Sequence, residues 1–160
     1  MQNAGAACAV VETLGDIPGN WRITPEAMAA GLREAVWPAR LQQLKPGPLA
    51  GDSMVWVDAA HNPGGVAALA GAIRASRGDD RVAVVVAIQA VKDIEAVVSE
   101  LIGVADAFFV YPLPDSGGQE GGPGAEPKHV ASIIAMMGGR AEVADDLAAA
   151  VAAEIGRAHV

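Results

Sequence analysis

Val82-Ala83-Val84-Val85-Val86-Ala87-Ile88 is a clean apolar run of seven residues, as long as any in the chain and the richest in β-branched side chains. A continuous, β-branched run of this kind suits a strand buried on both faces of a parallel sheet. It is far shorter than the roughly 18 residues that a membrane span needs. Upstream, Asn62-Pro63 pairs a side-chain cap with proline at the first helical position. Val66, Leu69, Ala70 and Ile73 then follow helical spacing, and Gly78 is a C-terminal stop. Downstream, Asp93 caps a helix to about Ile102, Phe108 to Tyr111 reads as a strand, and Pro112 to Pro127 is a loop rich in Gly and Pro. Such a long loop suggests mobility or a binding role. Lys128 to Met137 reads as helix, Ala141 to Val143 as a short strand and Asp145 to Ala153 as helix. This alternation predicts an α/β domain with right-handed crossovers and a mostly parallel, three-layer sheet.

Ahead of that region the pattern differs. Asn3 to Leu14 is an Ala-rich helix broken by Gly15, Pro18 and Gly19, and Thr24-Pro25-Glu26 opens a second helix to about Ala35. It should end before Trp37-Pro38, because the residue preceding proline avoids the α region. Arg40 to Leu44 and Ser53 to Asp58 read as strands joined through the turn Lys45-Pro46-Gly47-Pro48. An initial hairpin is therefore expected over 38–58, with a domain boundary at Pro38.

The length of 160 residues suits one domain of about 100–150 residues with flanking chain. At 52% apolar positions the chain is no disordered polymer. Eleven Lys and Arg against nineteen Asp and Glu give a net charge of -8, which argues against a nucleic-acid partner. The single cysteine, Cys8, cannot form an internal disulfide, and no secretory leader opens the chain. These features point to a soluble, cytoplasmic domain without membrane contact.

The densest chemistry lies in Val57-Asp58-Ala59-Ala60-His61-Asn62-Pro63-Gly64-Gly65. An acid and an imidazole stand between an apolar strand and a capped helix, where open α/β sheets bind ligands and helix amides favour anions. Asp58 should end a parallel strand and share the sheet's C-terminal edge with His61 and Lys92. Equally, Asp58 and Asn62 serve as turn caps and His61 as a surface histidine; the residues alone leave both readings open. Cys8 reads as a packing residue, His129 has no partner at metal-ligand spacing, and Trp21, Trp37 and Trp56 read as core or interface residues.

Trp37-Pro38-Ala39-Arg40-Leu41-Gln42 followed by Asp58-Ala59-Ala60-His61-Asn62-Pro63 resembles the folylpolyglutamate synthase/dihydrofolate synthase family of the Mur ligase superfamily. That family shows Trp-Pro-Gly-Arg-Leu-Glu-like and Asp-Gly-Ala-His-Asn-Pro segments. Gln2-Asn3-Ala4 and Ala87-Ile88-Gln89-Ala90-Val91-Lys92-Asp93 resemble two further family segments in matching order. Ala39, Ala59 and Ala87 stand where glycine is usual, and Val91 replaces an aspartate. Alanine costs little there if the backbone does not need positive φ.

The resemblance implies a Rossmann-like Mur ligase C-terminal domain over 38–153. Residues 1–20 would be the last helix of an upstream ATPase domain and 21–37 a linker with a helix. The tail Glu154-Ile155-Gly156-Arg157-Ala158-His159-Val160 is what GAG ATC GGA AGA GCA CAC GTC encodes. That string resembles a sequencing adapter, so 154–160 is expected to be translated adapter. The implied activity is ATP-dependent addition of L-glutamate to folate or dihydropteroate through an acyl phosphate. Arg40 and His61 would act in catalysis. Arg40, Asp58, His61 and Asn62 would bind the nucleotide, Asp58 through the ribose, and Lys92 would place the amino-acid substrate. Asp93 is an N-cap.

No Gly-x-x-x-x-Gly-Lys-Ser/Thr loop is present: the lysines are Lys45, Lys92 and Lys128, and none follows glycine. ATP and Mg2+ would be held mainly by an ATPase domain upstream of Met1, and this chain alone is expected to be inactive and monomeric. Two other readings remain: a Mur ligase of cell-wall synthesis, and a non-catalytic α/β binding module. Val82 to Ile88 ends in Gln89 rather than a phosphoacceptor aspartate, which argues against a receiver-like module.

Overall fold

The computed structural model of the chain describes residues 2–17, 23–47, 53–114 and 122–158. Pro18, Gly19, Trp21, Pro48, the middle of the Gly/Pro-rich loop and the final two residues lie outside the described residues. The chain forms two compact units, Met1–Pro38 and Ala39–Val160.

The first unit holds α1 (Gln2–Gly15) and α2 (Pro25–Glu34). The Thr24 hydroxyl accepts the Ala27 N–H at 3.2 Å and Pro25 occupies the first turn, so α2 begins at its expected cap. Cys8 is half-buried. Trp37 is 74% exposed, so it does not join a core in this unit.

The second unit opens with a two-stranded ribbon. β1 (Gln42–Gln43) pairs antiparallel with β2 (Trp56–Val57), in the register Gln42↔Val57 and Gln43↔Trp56. The expected hairpin is present, but Asp58 directly follows an antiparallel strand rather than ending a parallel one. The Leu44 N–H donates to the Val55 carbonyl at 2.9 Å, extending the antiparallel ladder by one bond beyond the paired residues. Trp56 is 45% exposed and likewise no core residue.

After α3 (Pro63–Ser76) come β3 (Ala83–Val86), α4 (Ile94–Ile102), β4 (Ala107–Val110), α5 (Pro127–Met136), β5 (Ala141–Val143) and α6 (Leu147–Ala158). β3, β4 and β5 form a parallel sheet in that order, with Val84↔Phe108 and Phe109↔Glu142 in register. Of the run Val82 to Ile88, residues 82–87 are half-buried, short of the complete burial expected of them, and Ile88 is buried. β4 takes the middle place, and its Phe108, Phe109 and Val110 are each 1% exposed.

Side chains alternate along a strand, which sorts the layers. Phe108 and Val110 join one cluster with Val66 and Ala70 of α3, Val97, Val98 and Leu101 of α4, and Val130, Ile133 and Ile134 of α5. Phe109 points the other way, and α6 packs on β3 and β4 with Ala150 buried. Each large apolar side chain so buried contributes about 1.5–3 kcal/mol relative to exposure. Among the described residues no helix is long and apolar enough to cross a membrane.

Two polar side chains set the orientation of α3 and α4. Arg77, just past α3, donates to the Val104 carbonyl at 2.7 Å and to Asp106 Oδ2 at 3.1 Å. Asp106 Oδ2 also accepts the Val82 N–H, just ahead of β3, at 2.7 Å. Both helices therefore finish where the strands begin. Their N-termini, at Asn62 and Asp93, lie on the side where the strands finish.

Candidate active site

Asp58 leaves β2 half-buried, with both carboxylate oxygens engaged by backbone. Oδ1 accepts the Ala60 N–H at 2.7 Å, closing its own turn. Oδ2 accepts the Leu41 N–H at 2.7 Å, across to the segment entering β1. The Ala59 N–H donates to the Ala39 carbonyl at 2.8 Å, and the Ala39 N–H donates to Gln42 Oε1 at 2.9 Å. One carboxylate and one amide thus fix a turn that encloses Arg40.

That turn is conformationally costly. Ala39 has φ +54° and Leu41 has φ +45°, on either side of Arg40. A left-handed L-residue costs roughly 1–2 kcal/mol, which glycine avoids. The condition under which alanine is harmless therefore fails at Ala39 and holds at Ala59 and Ala87, which have no positive φ. Arg40 is exposed, and its guanidinium makes no hydrogen bond or ion pair among the described residues. The turn fixes the backbone from which Arg40 projects, and its uncommitted guanidinium can grip phosphate or carboxylate oxygens in a forked geometry.

His61 follows within the same turn. Its Nδ1 lies 2.9 Å from the Ala59 carbonyl oxygen. An Nδ1–H donated there leaves Nε2 as an acceptor. Asn62 Oδ1 accepts the Gly65 N–H at 2.8 Å and caps α3, with Pro63 at the first helical position. Gly65 packs tightly, because a Cβ there would come within 3.3 Å of Asn62 Oδ1. The cap reading of Asp58 and Asn62 is thus correct in geometry. It also delivers Arg40, His61 and a helix N-terminus to one place; Pro63 has no N–H and Asn62 takes those of Gly65 and Val66, so the helix dipole and the Gly64 amide are what this end offers an anion.

Lys92 belongs to a different loop, between β3 and α4. Its N–H donates to the Gln89 carbonyl at 3.0 Å, and Asp93 Oδ1 caps α4 by accepting the Ala96 N–H at 3.0 Å. The chain after the Gly/Pro-rich loop pins this segment: Ala90 N–H bonds to the Pro123 carbonyl at 2.9 Å and Ala125 N–H to the Ile88 carbonyl at 2.7 Å. Lys92 lies on the same side of the sheet as Asp58 and His61. It makes no hydrogen bond or ion pair to them. His129 stands in the first turn of α5 with its N–H on Glu126 Oε2 at 2.8 Å. Gln42 is the residue that sequence reasoning passed over; a polar side chain three positions after a residue in glycine's usual place was the available clue.

The model of the Mur ligase, glutamate ligase domain family matches residues 39–159. The chain belongs to that family. The domain is 31% identical over 94 residues to the folylpolyglutamate synthase of Lacticaseibacillus casei, covering 59% of this chain and 21% of that protein. Among solved structures it is similar to E. coli FolC in complex with DHPP and ADP: 26% identity, TM-score 0.77, covering 96% of this chain and 32% of that one. It shares the fold of the bifunctional folylpolyglutamate synthase/dihydrofolate synthase from Yersinia pestis complexed with AMPPNP and Mn ion. There the identity is 22% and the TM-score 0.61, over 97% of this chain and 38% of that one. The glutamate ligase domain thus spans a third or less of the first two relatives. Ala39–Leu41 and Asp58–Asn62, the densest part of the site, lie inside the matched range.

Proposed function

We propose that this domain is part of an ATP-dependent ligase that adds L-glutamate to a folate or dihydropteroate carboxylate. The observation that carries the reading is the Arg40 turn, latched by Asp58 beside the N-terminus of α3, within a glutamate ligase domain. The likeness to an E. coli FolC that holds ADP and DHPP supports the same substrate classes. In the first step a substrate carboxylate oxygen attacks the γ-phosphorus of ATP, and ADP leaves. In the second the glutamate amine attacks the acyl carbon, phosphate leaves, and the amine gives up a proton. Arg40 stabilises charge on the transferring phosphoryl group, where a fixed cation in a dry cleft acts most strongly.

In this reading Asp58 still has acceptor capacity for the ATP ribose, since a carboxylate offers about four lone-pair sites and two are used. His61 lies near the phosphates, Asn62 shapes the anion-facing helix end, and Lys92 places the glutamate carboxylate. Among the described residues no three His, Cys, Asp or Glu come together as metal ligands. The divalent cation that accompanies ATP, Mg2+ in this proposal, is assigned to an upstream ATPase domain, of which α1 is the last helix. The enzyme works as a cytoplasmic monomer and has no nucleic-acid partner.

The test is labelled-glutamate incorporation into folate by the complete protein and by this chain alone. The complete protein should form the amide with matching ADP release, and the chain alone should read at background. Comparable incorporation by the chain alone, or ADP release by the complete protein with no amide formed, contradicts the proposal.

A further inference from the structure

We infer that Gln42 is a positioning residue for Arg40: its side-chain oxygen holds the left-handed turn that aims the guanidinium. The inference rests on the phosphoryl role proposed for Arg40 and adds a residue to it. Ala39 and Leu41, on either side of Arg40, have φ +54° and +45°. Neither is a glycine, so the turn persists only because its surroundings over-determine it. Two side-chain acceptors do so from opposite ends. Gln42 Oε1 takes the Ala39 N–H at 2.9 Å, and Asp58 Oδ2 takes the Leu41 N–H at 2.7 Å.

Gln42 is well placed to act as such an anchor. It is half-buried and sits in β1, where the ladder pairs it with Val57, the neighbour of Asp58. One acceptor therefore stands on a paired strand and the other directly follows its partner strand, so the ladder sets the span between them. Without the Gln42 oxygen the Ala39 amide loses its partner, only the Ala59 N–H on the Ala39 carbonyl still holds that residue, and the balance shifts toward the ordinary φ < 0 region. That rotation displaces the next residue, Arg40, while its charge stays intact. Small misplacements of a catalytic group carry large rate costs.

A double-mutant cycle in the complete ligase tests this. Gln42→Ala should lower kcat about tenfold with little change in the KM for ATP, the pattern of an interaction realised in the transition state. Gln42→Glu, which keeps an acceptor oxygen at the same reach, should recover most of that rate. In an Arg40→Ala background, Gln42→Ala should have no further effect on kcat, because its action runs through the guanidinium. A full additional loss in that background, or an unchanged kcat in the single variant, overturns the inference and leaves Arg40's own role standing. An unchanged kcat in Arg40→Ala alone overturns the phosphoryl role itself, and the inference with it.

Discussion

Ala39 carries the sharpest consequence at the scale of single residues. Its φ of +54° puts a Cβ where glycine would have none. Ala39→Gly should raise stability by about 0.5–1 kcal/mol, the relieved left-handed cost less the extra chain entropy of glycine. Ala59→Gly, at a position with no positive φ, should lower it by about 0.5–1 kcal/mol. Urea denaturation of the two variants should thus give midpoint shifts of opposite sign; a shared direction would mean that the turn is not held as described. Both alanines replace glycine in the same resemblance, so the sequence could not separate them. Backbone dihedrals depend on what the turn is tied to, here Gln42, Ala59 and Asp58, and none of those bonds is visible in a linear pattern. Arg40, Asp58, His61 and Asn62 were legible as a cluster. That Asp58 spends both oxygens on backbone amides was not.

Helices were the most legible elements, because their ends are written in single residues: Thr24-Pro25, Asn62-Pro63 and Asp93 each cap where they were expected to. Strands were less so. β1 and β2 are two residues each, since antiparallel pairing exists only where both partners stay in register. β3 is half-buried because sheet order, a property of no single segment, gives the middle to β4. The α5–β5 connection offers a test at this scale. A Cβ on Gly139 would fall 2.5 Å from Ile102 Cδ1 and 2.7 Å from Ile134 Cγ2. Gly139→Ala should therefore force α4 and α5 apart and cost about 1–3 kcal/mol by denaturant unfolding. Gly71, inside α3 with nothing within 4 Å of its Cβ position, is the control. Gly71→Ala should gain about 0.8–1 kcal/mol from helix propensity. Equal effects at the two glycines would contradict the packing described for α4, α5 and β5.

For the whole molecule, the chain spans 32% of E. coli FolC, so the proposed chemistry needs more protein than these residues. Arg40 can act on a phosphoryl group anchored elsewhere only if this domain closes over it, a step that itself gates turnover. Asp58 plays two parts in that picture, ribose ligand and latch on Leu41, so its removal should be felt in both kinetic constants. The measurement that bears most directly on the account is steady-state kinetics of Arg40→Ala and Asp58→Ala in the complete protein, under the ligase assay proposed for it. Arg40→Ala should lower kcat about 10²–10³-fold, as for loss of one preorganised charge donor, with a small change in the KM for ATP. Asp58→Ala should raise the KM for ATP and also lower kcat, because the Arg40 turn loses its anchor. A kcat that survives Arg40→Ala, together with an ATP KM that survives Asp58→Ala, would contradict the account and leave the latched turn a purely structural feature.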